Sequence, residues 1–128
     1  MIFYHFCADR DKNNIMRHGL TIGGVAVPEG KGFQLYNGWI WLTCCGDATK
    51  QSWDTHRVIR YSRTAWRLSV DIPDSEKHRL YDRVSLRTKY GANVDLLFKG
   101  WDGSADWRVF HGMIPAEWIK AVERTGNK

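Results

Sequence analysis

The stretch IFYHFCADRDKNNIMRHGL, residues 2–20, decides how this chain is read. Its first six residues are aromatic or apolar except for His5, a composition that predicts a β-strand over residues 2–7. The segment DKNNIMRHGL follows at once, with Asp9 or Asp11 able to cap a helix, Ile15 and Met16 supplying apolar contacts and Gly19 ending it after about two turns. Histidine inside an apolar strand costs desolvation unless a hydrogen bond satisfies it. His5 is therefore either satisfied by the fold or held for a ligand.

Outward from that strand, residues 21–38 carry Gly23, Gly24, Gly30, Gly32 and Gly38 with Pro28, and read as a loop able to lie close to a ligand. WIWLTCC (39–45) is a second strand. ATKQSW (48–53) reads as a helical turn. TAWRLSVDIP (64–73) alternates Trp66, Leu68, Val70 and Ile72 on one face and is ended by Pro73, which predicts a third strand. DSEKHRLYDRVSLRTKYG (74–91) reads as helical in its first half, capped by Asp74 or Ser75, with Leu80, Tyr81 and Val84 as its stripe. WRVFHGMI (107–114) is a fourth strand, and Pro115 stands at a turn or first helical position. Strand-rich, with short helices and no repeat or linker, the 128 residues predict one α+β domain.

Composition narrows the function. Three cysteines, two of them adjacent (Cys44 and Cys45), make no disulfide framework and no Cys-x-x-Cys zinc pattern. The five histidines are scattered without metal-ligand spacing, so no metal site is expected. No glycine-rich dinucleotide or P-loop fingerprint occurs. The apolar runs are too short for a bilayer and no basic segment precedes an apolar one at the start, so the expectation is a cytoplasmic chain without a membrane partner. Seven tryptophans call for an aromatic core or an aromatic-lined cleft. The net charge of +5 allows a polyanionic partner. The run HRVIRYSRTAWR sets Arg57, Arg60, Arg63 and Arg67 around Tyr61 and Trp66, either a solvated basic face or a nucleic-acid surface. Cys44 and Cys45 have no base nearby in sequence, which favours inert thiols.

Two stretches carry a more specific likeness. YHFCADRDKNNIMRHGL (4–20) is strand, histidine, short helix and Gly-Leu, and ADWRVFHGMIPAEWI (105–119) is an acidic residue followed by aromatic, Val and aromatic positions. In that order, with WIWLT between them, they resemble the ADP-ribosyltransferase-like proteins: poly-ADP-ribose polymerases, DNA-modifying toxins of the DarT type and RNA 2′-phosphotransferases. The resemblance covers about half the chain. It implies two small, mainly antiparallel sheets enclosing a cleft, and NAD as substrate, with His5 bonded to the adenosine ribose and Asp106 as the catalytic carboxylate that favours an oxocarbenium-like transition state. It further implies that Phe33, Tyr36 or Trp41 stacks on the nicotinamide and that Thr43 donates a hydroxyl at the pocket wall. The chain departs from the pattern at Cys7, where threonine is expected, and at Asp106, which is one methylene shorter than the usual glutamate. Asp106 also lies in KGWDGSADW (99–107), which reads equally as a polar turn. The implied function is transfer of ADP-ribose to a protein or nucleic acid. The alternatives are a non-catalytic interaction or inhibitor protein on the same fold, and a basic nucleic-acid-binding module.

Overall fold

A computed structural model describes residues 2–47, 65–99 and 103–125. Strand β1 (Ile2–Cys7) leads into helix α1 (Asp9–His18), then come β2 (Gly24–Glu29), β3 (Gly32–Asn37), β4 (Trp39–Thr43) and β5 (Trp66–Asp71). After a 3₁₀ segment at Asp74–Arg79, the chain forms β6 (Leu80–Tyr81), α2 (Arg83–Tyr90), β7 (Trp107–His111) and β8 (Ile119–Arg124). Six strands make one sheet in the order β6-β7-β4-β1-β5-β8, with antiparallel neighbours throughout, and β2 and β3 form a separate two-stranded hairpin. The class is α+β as expected, but the strands divide into one large sheet and a ribbon.

The WIWLT strand shows why the sheet is covered on both faces. Successive side chains of a strand point to opposite sides. Ile40 and Leu42 join Phe3, Leu68, Val70, Phe110 and Ile114 in one cluster, while Trp39 joins Val25, Val27, Leu86, Val94, Trp107 and Val109 in another. Ile15 of α1 packs on the first cluster; the β2–β3 hairpin and α2 supply the second. Trp39, Leu42, Phe110 and Val109 are fully enclosed, each worth about 1.5–3 kcal/mol of burial.

The pairing is not uniform across the sheet. β1 follows β5 along its whole length, from Ile2 opposite Asp71 to Cys7 opposite Trp66. β4 follows β7 from Trp39 opposite His111 to Thr43 opposite Trp107. Between these halves, β1 and β4 register at Tyr4 opposite Thr43 alone. The sheet is thus two three-stranded halves joined at one rung.

Three local expectations meet the structure as follows. The glycine-rich stretch read as a loop is mostly the β2–β3 hairpin: Val25 and Val27 face the core at period two, and only Gly30 and Gly38 take positive φ. The first half of 74–91 is helical as expected, but as the 3₁₀ segment Asp74–Arg79, and the α-helix lies in the second half. Asp82 starts it, its carboxylate accepting from the Ser85 N–H (2.9 Å) while the Ser85 hydroxyl accepts from the Asp82 N–H (3.0 Å). The stripe residues Leu80 and Tyr81 are strand β6, paired with Phe110 and Val109. Finally, Pro115 stands at the expected turn, capping the single 3₁₀ turn Ala116–Trp118, after which strand β8 edges the sheet beside β5.

Helix α1 has the predicted end at Gly19. Its N–H donates to the Ile15 carbonyl (2.7 Å) and its φ of 80° lies where a side chain is strained. The next residue, Leu20, exchanges backbone bonds with Ile114 (2.8 and 3.0 Å), pinning the helix exit to the far end of the chain. At the other end no side chain caps the helix: Ala8 is the N-cap, while Asp9 and Asp11 lie in the first turn, where carboxylates favour the helix dipole. No helix among the described residues is long and apolar enough to cross a membrane.

Candidate functional site

His5 sits where the two halves of the sheet part. Its Nδ1 lies 2.8 Å from the Trp41 carbonyl oxygen. A carbonyl only accepts, so Nδ1 carries the proton and donates it. Burial lowers the His5 pKa from its ordinary 6.5, against opposing pulls from the Trp41 carbonyl and the Asp11 carboxylate. The imidazole is therefore neutral near pH 7, with a lone pair on Nε2. Among the described residues no hydrogen-bond partner is found for Nε2.

A cleft of about 490 Å³ opens beside it, within the range of about 300–1,000 Å³ typical of small-molecule sites. β1 contributes His5 and Cys7, the inner face of α1 contributes Asp11, Asn14 and Ile15, and the helix exit contributes Thr21. Asp11, Asn14 and Ile15 share that face because positions three and four apart align on a helix. Cys7 is no nucleophile. Burial first, then the Asp11 and Asp9 carboxylates, push its thiol up to about 11, with Lys12 opposing. The polar groups of the cleft therefore offer one neutral lone pair, one carboxylate, one amide and one hydroxyl. Such a set binds hydroxyl and amide donors.

A second hollow of about 580 Å³ lies against α2. Three of its charged residues are engaged, Asp95 pairing with Arg83 (3.0 Å) and Asp82 serving as the helix cap, while Lys99 also lines it. Of the two, the His5 cleft is the one lined by a site residue that the sequence singles out.

The other expected site residues are placed as follows. Trp41 contributes its carbonyl to His5, but its indole turns to the opposite face, against Phe98 and Trp107, and donates to the Gly24 carbonyl (3.0 Å). Tyr36 stacks on Tyr90 with ring centroids 3.8 Å apart. Phe33 is 66% exposed on the hairpin. Thr43 is fully buried, its hydroxyl accepting from the Cys45 N–H (3.1 Å). None of the four lines the cleft, because alternation along β4 and the fold of the hairpin commit their side chains elsewhere. Asp106 ends the 3₁₀ turn Ser104–Asp106 just before β7; its side chain is exposed and its carbonyl accepts from the Cys44 N–H (2.9 Å). The rung Tyr4–Thr43–Trp107 puts Asp106 two strands from β1, about 10 Å across the sheet.

Arg67 is committed internally. It donates to the Gly46 carbonyl and to Glu123 (both 2.8 Å), stands over the Tyr4 ring, and keeps a buried Nε without a partner. Arg57, Arg60 and Arg63 lie outside the described residues, as does the helical turn expected at ATKQSW. Among the described residues no three His, Cys, Asp or Glu side chains gather as a metal site would require.

Sequence reasoning found His5 by its misfit in an apolar strand. It missed Asp11, Asn14 and Thr21, whose only signal was the 11/14/15 spacing on α1. In comparisons with known proteins, no family model, no curated protein and no solved structure matched this chain.

Proposed function

We propose that the protein binds NAD⁺ in the His5 cleft and transfers ADP-ribose to a macromolecular acceptor. One observation carries the reading. The three separated stretches on which the family likeness rests fold into neighbouring strands, β1, β4 and β7, and the first of them places His5 in the cleft lining. A neutral imidazole with a free Nε2 suits a ribose hydroxyl, which must donate to it.

In the transfer step the nicotinamide–ribose bond breaks and its electron pair leaves on nicotinamide. The acceptor's oxygen or nitrogen then bonds the anomeric carbon and gives up its proton. Asp106 is the carboxylate assigned to the cationic transition state and to that proton. The alternative is a nucleotide-binding protein on the same scaffold without transfer. It is favoured by the position of the Asp106 side chain, which is exposed and outside the cleft lining.

Calorimetric titration of NAD⁺ into the folded protein tests the binding step. Saturable binding that weakens in His5→Ala is expected; a well-folded wild type that takes up no NAD⁺ overturns the proposal. Nicotinamide release in the presence of cell lysate then separates the two readings. Loss of release in Asp106→Ala supports transfer, and binding without any release supports the non-catalytic protein.

A further inference from the structure

The cleft lining holds the neutral His5 and the Asp11 carboxylate, and no lysine or arginine. Asp11 is poorly compensated. Its ion-pair neighbour among the described residues is Arg10, at 4.0 Å, with the two side chains 56% and 66% exposed respectively. Such a contact is worth little in water. Asp11 and Asn14, three residues apart, project from the same side of α1 toward the cleft that His5 also lines. A free ribose hydroxyl donates to either acceptor, the Asp11 carboxylate or His5 Nε2. A phosphate ester at the same place brings acceptor oxygens and negative charge to a wall that already offers both.

We propose that Asp11 is a specificity determinant of this cleft, admitting dinucleotides whose adenosine ribose is unesterified and rejecting those with a ribose phosphate. The proposal rests on the NAD reading given above. Selectivity here comes from a repulsive element as much as from an attractive one. Asp11 also lies in the first turn of α1, where a carboxylate favours the helix in any case. That role predicts a change in stability and none in selectivity.

The test titrates NAD⁺ and NADP⁺, which differ by the 2′-phosphate, into wild type, Asp11→Asn and Asp9→Asn. Wild type is expected to prefer NAD⁺ by about tenfold or more, the size of a like-charge repulsion a few ångströms apart at a partly solvated site. Asp11→Asn should reduce that preference several-fold. Asp9→Asn serves as the control, because Asp9 belongs to the same helical turn but bonds the Trp66 indole (2.7 Å) and is not part of the lining. It should keep the wild-type ratio. Equal affinity for NAD⁺ and NADP⁺ in wild type, an unchanged ratio in Asp11→Asn, or the same change in both variants overturns the assignment while leaving the cleft a nucleotide site. Absence of NAD⁺ binding by wild type is a separate result, and it removes the nucleotide reading and the assignment together.

Discussion

Replacing His5 tests both of its roles, because its two ring nitrogens do different things. His5→Ala removes the 2.8 Å bond to the Trp41 carbonyl and leaves that oxygen without its side-chain donor. An unsatisfied buried acceptor costs about 1–3 kcal/mol, so about 2 kcal/mol is expected at this half-buried seam. A domain of 128 residues unfolds with an entropy of about 0.27 kcal/mol/K, which converts the loss to a fall in Tm of about 7 °C. His5→Asn keeps a donor two bonds from Cβ, where Nδ1 stands, but has nothing at Nε2. It should recover more than half of the lost Tm and still bind NAD⁺ about tenfold more weakly, the worth of one hydrogen bond. Titration adds a third readout. With its folded pKa below the ordinary 6.5, His5 makes the native state bind fewer protons than the unfolded chain once pH falls below 6.5. The stability it contributes is complete above that pH and is lost as pH falls toward the folded pKa; in His5→Asn this part of the pH dependence should vanish. Thermal melts from pH 7.5 to 5, with calorimetry at pH 7.5, check all three. Equal Tm for the alanine and asparagine variants would refute the assigned bond, and identical pH dependence in His5→Asn and wild type would refute the burial of the ring.

Other substitutions probe the scaffold around the cleft. Gly19→Ala places a Cβ well inside van der Waals contact of the Ile114 carbonyl, at a φ of 80°. Chemical denaturation should show a loss of at least about 3 kcal/mol, and a loss below 1 kcal/mol would contradict the tight helix exit. Asp82→Ala removes the α2 cap and should cost about 0.5–2 kcal/mol near neutral pH. The Ser85 bonds lower the Asp82 pKa below 3.8, so its stabilising share is present above that pH and fades as pH falls through the folded value; an acid melt of the variant that matches wild type in shape at all pH would dismiss it. For thiol labelling at pH 8, exposed Cys44 should react in the native protein while buried Cys7, with its pKa near 11, reacts only on unfolding. Mass-mapped Cys7 adducts in native protein would show the cleft wall to be open.

Much of the fold was legible because several elements have strong local signals. IFYHFC and WIWLT are too aromatic and β-branched to be anything but strands, and Gly19 stops α1 where the pattern says. The β2–β3 hairpin was obscured by glycines that mark its turn at Gly30 and its exit at Gly38, although Val25 and Val27 alternate as a half-buried strand must. Strand β8 has a weak pattern because it edges the sheet, with Lys120, Glu123 and Arg124 exposed. At the site, His5 could be found from its own neighbours. The cleft's other polar groups could not, since which face of α1 turns inward is fixed by Ile15 packing on the sheet and by Leu20 pairing with Ile114. Nor could the fate of Trp41, Tyr36 and Thr43, whose direction follows from strand phase rather than residue type.

In a regular antiparallel pair the spacing between strands is dictated by the backbone itself, at about 4.8 Å, and no substitution can alter it. At the β1–β4 boundary that dictation lapses after one rung, and a single imidazole reaches the facing carbonyl. The gap has thus been handed from the peptide backbone to the genetic code. A substitution at position 5 therefore acts on the joint between the two half-sheets, where a side chain and not a further rung spans the strands.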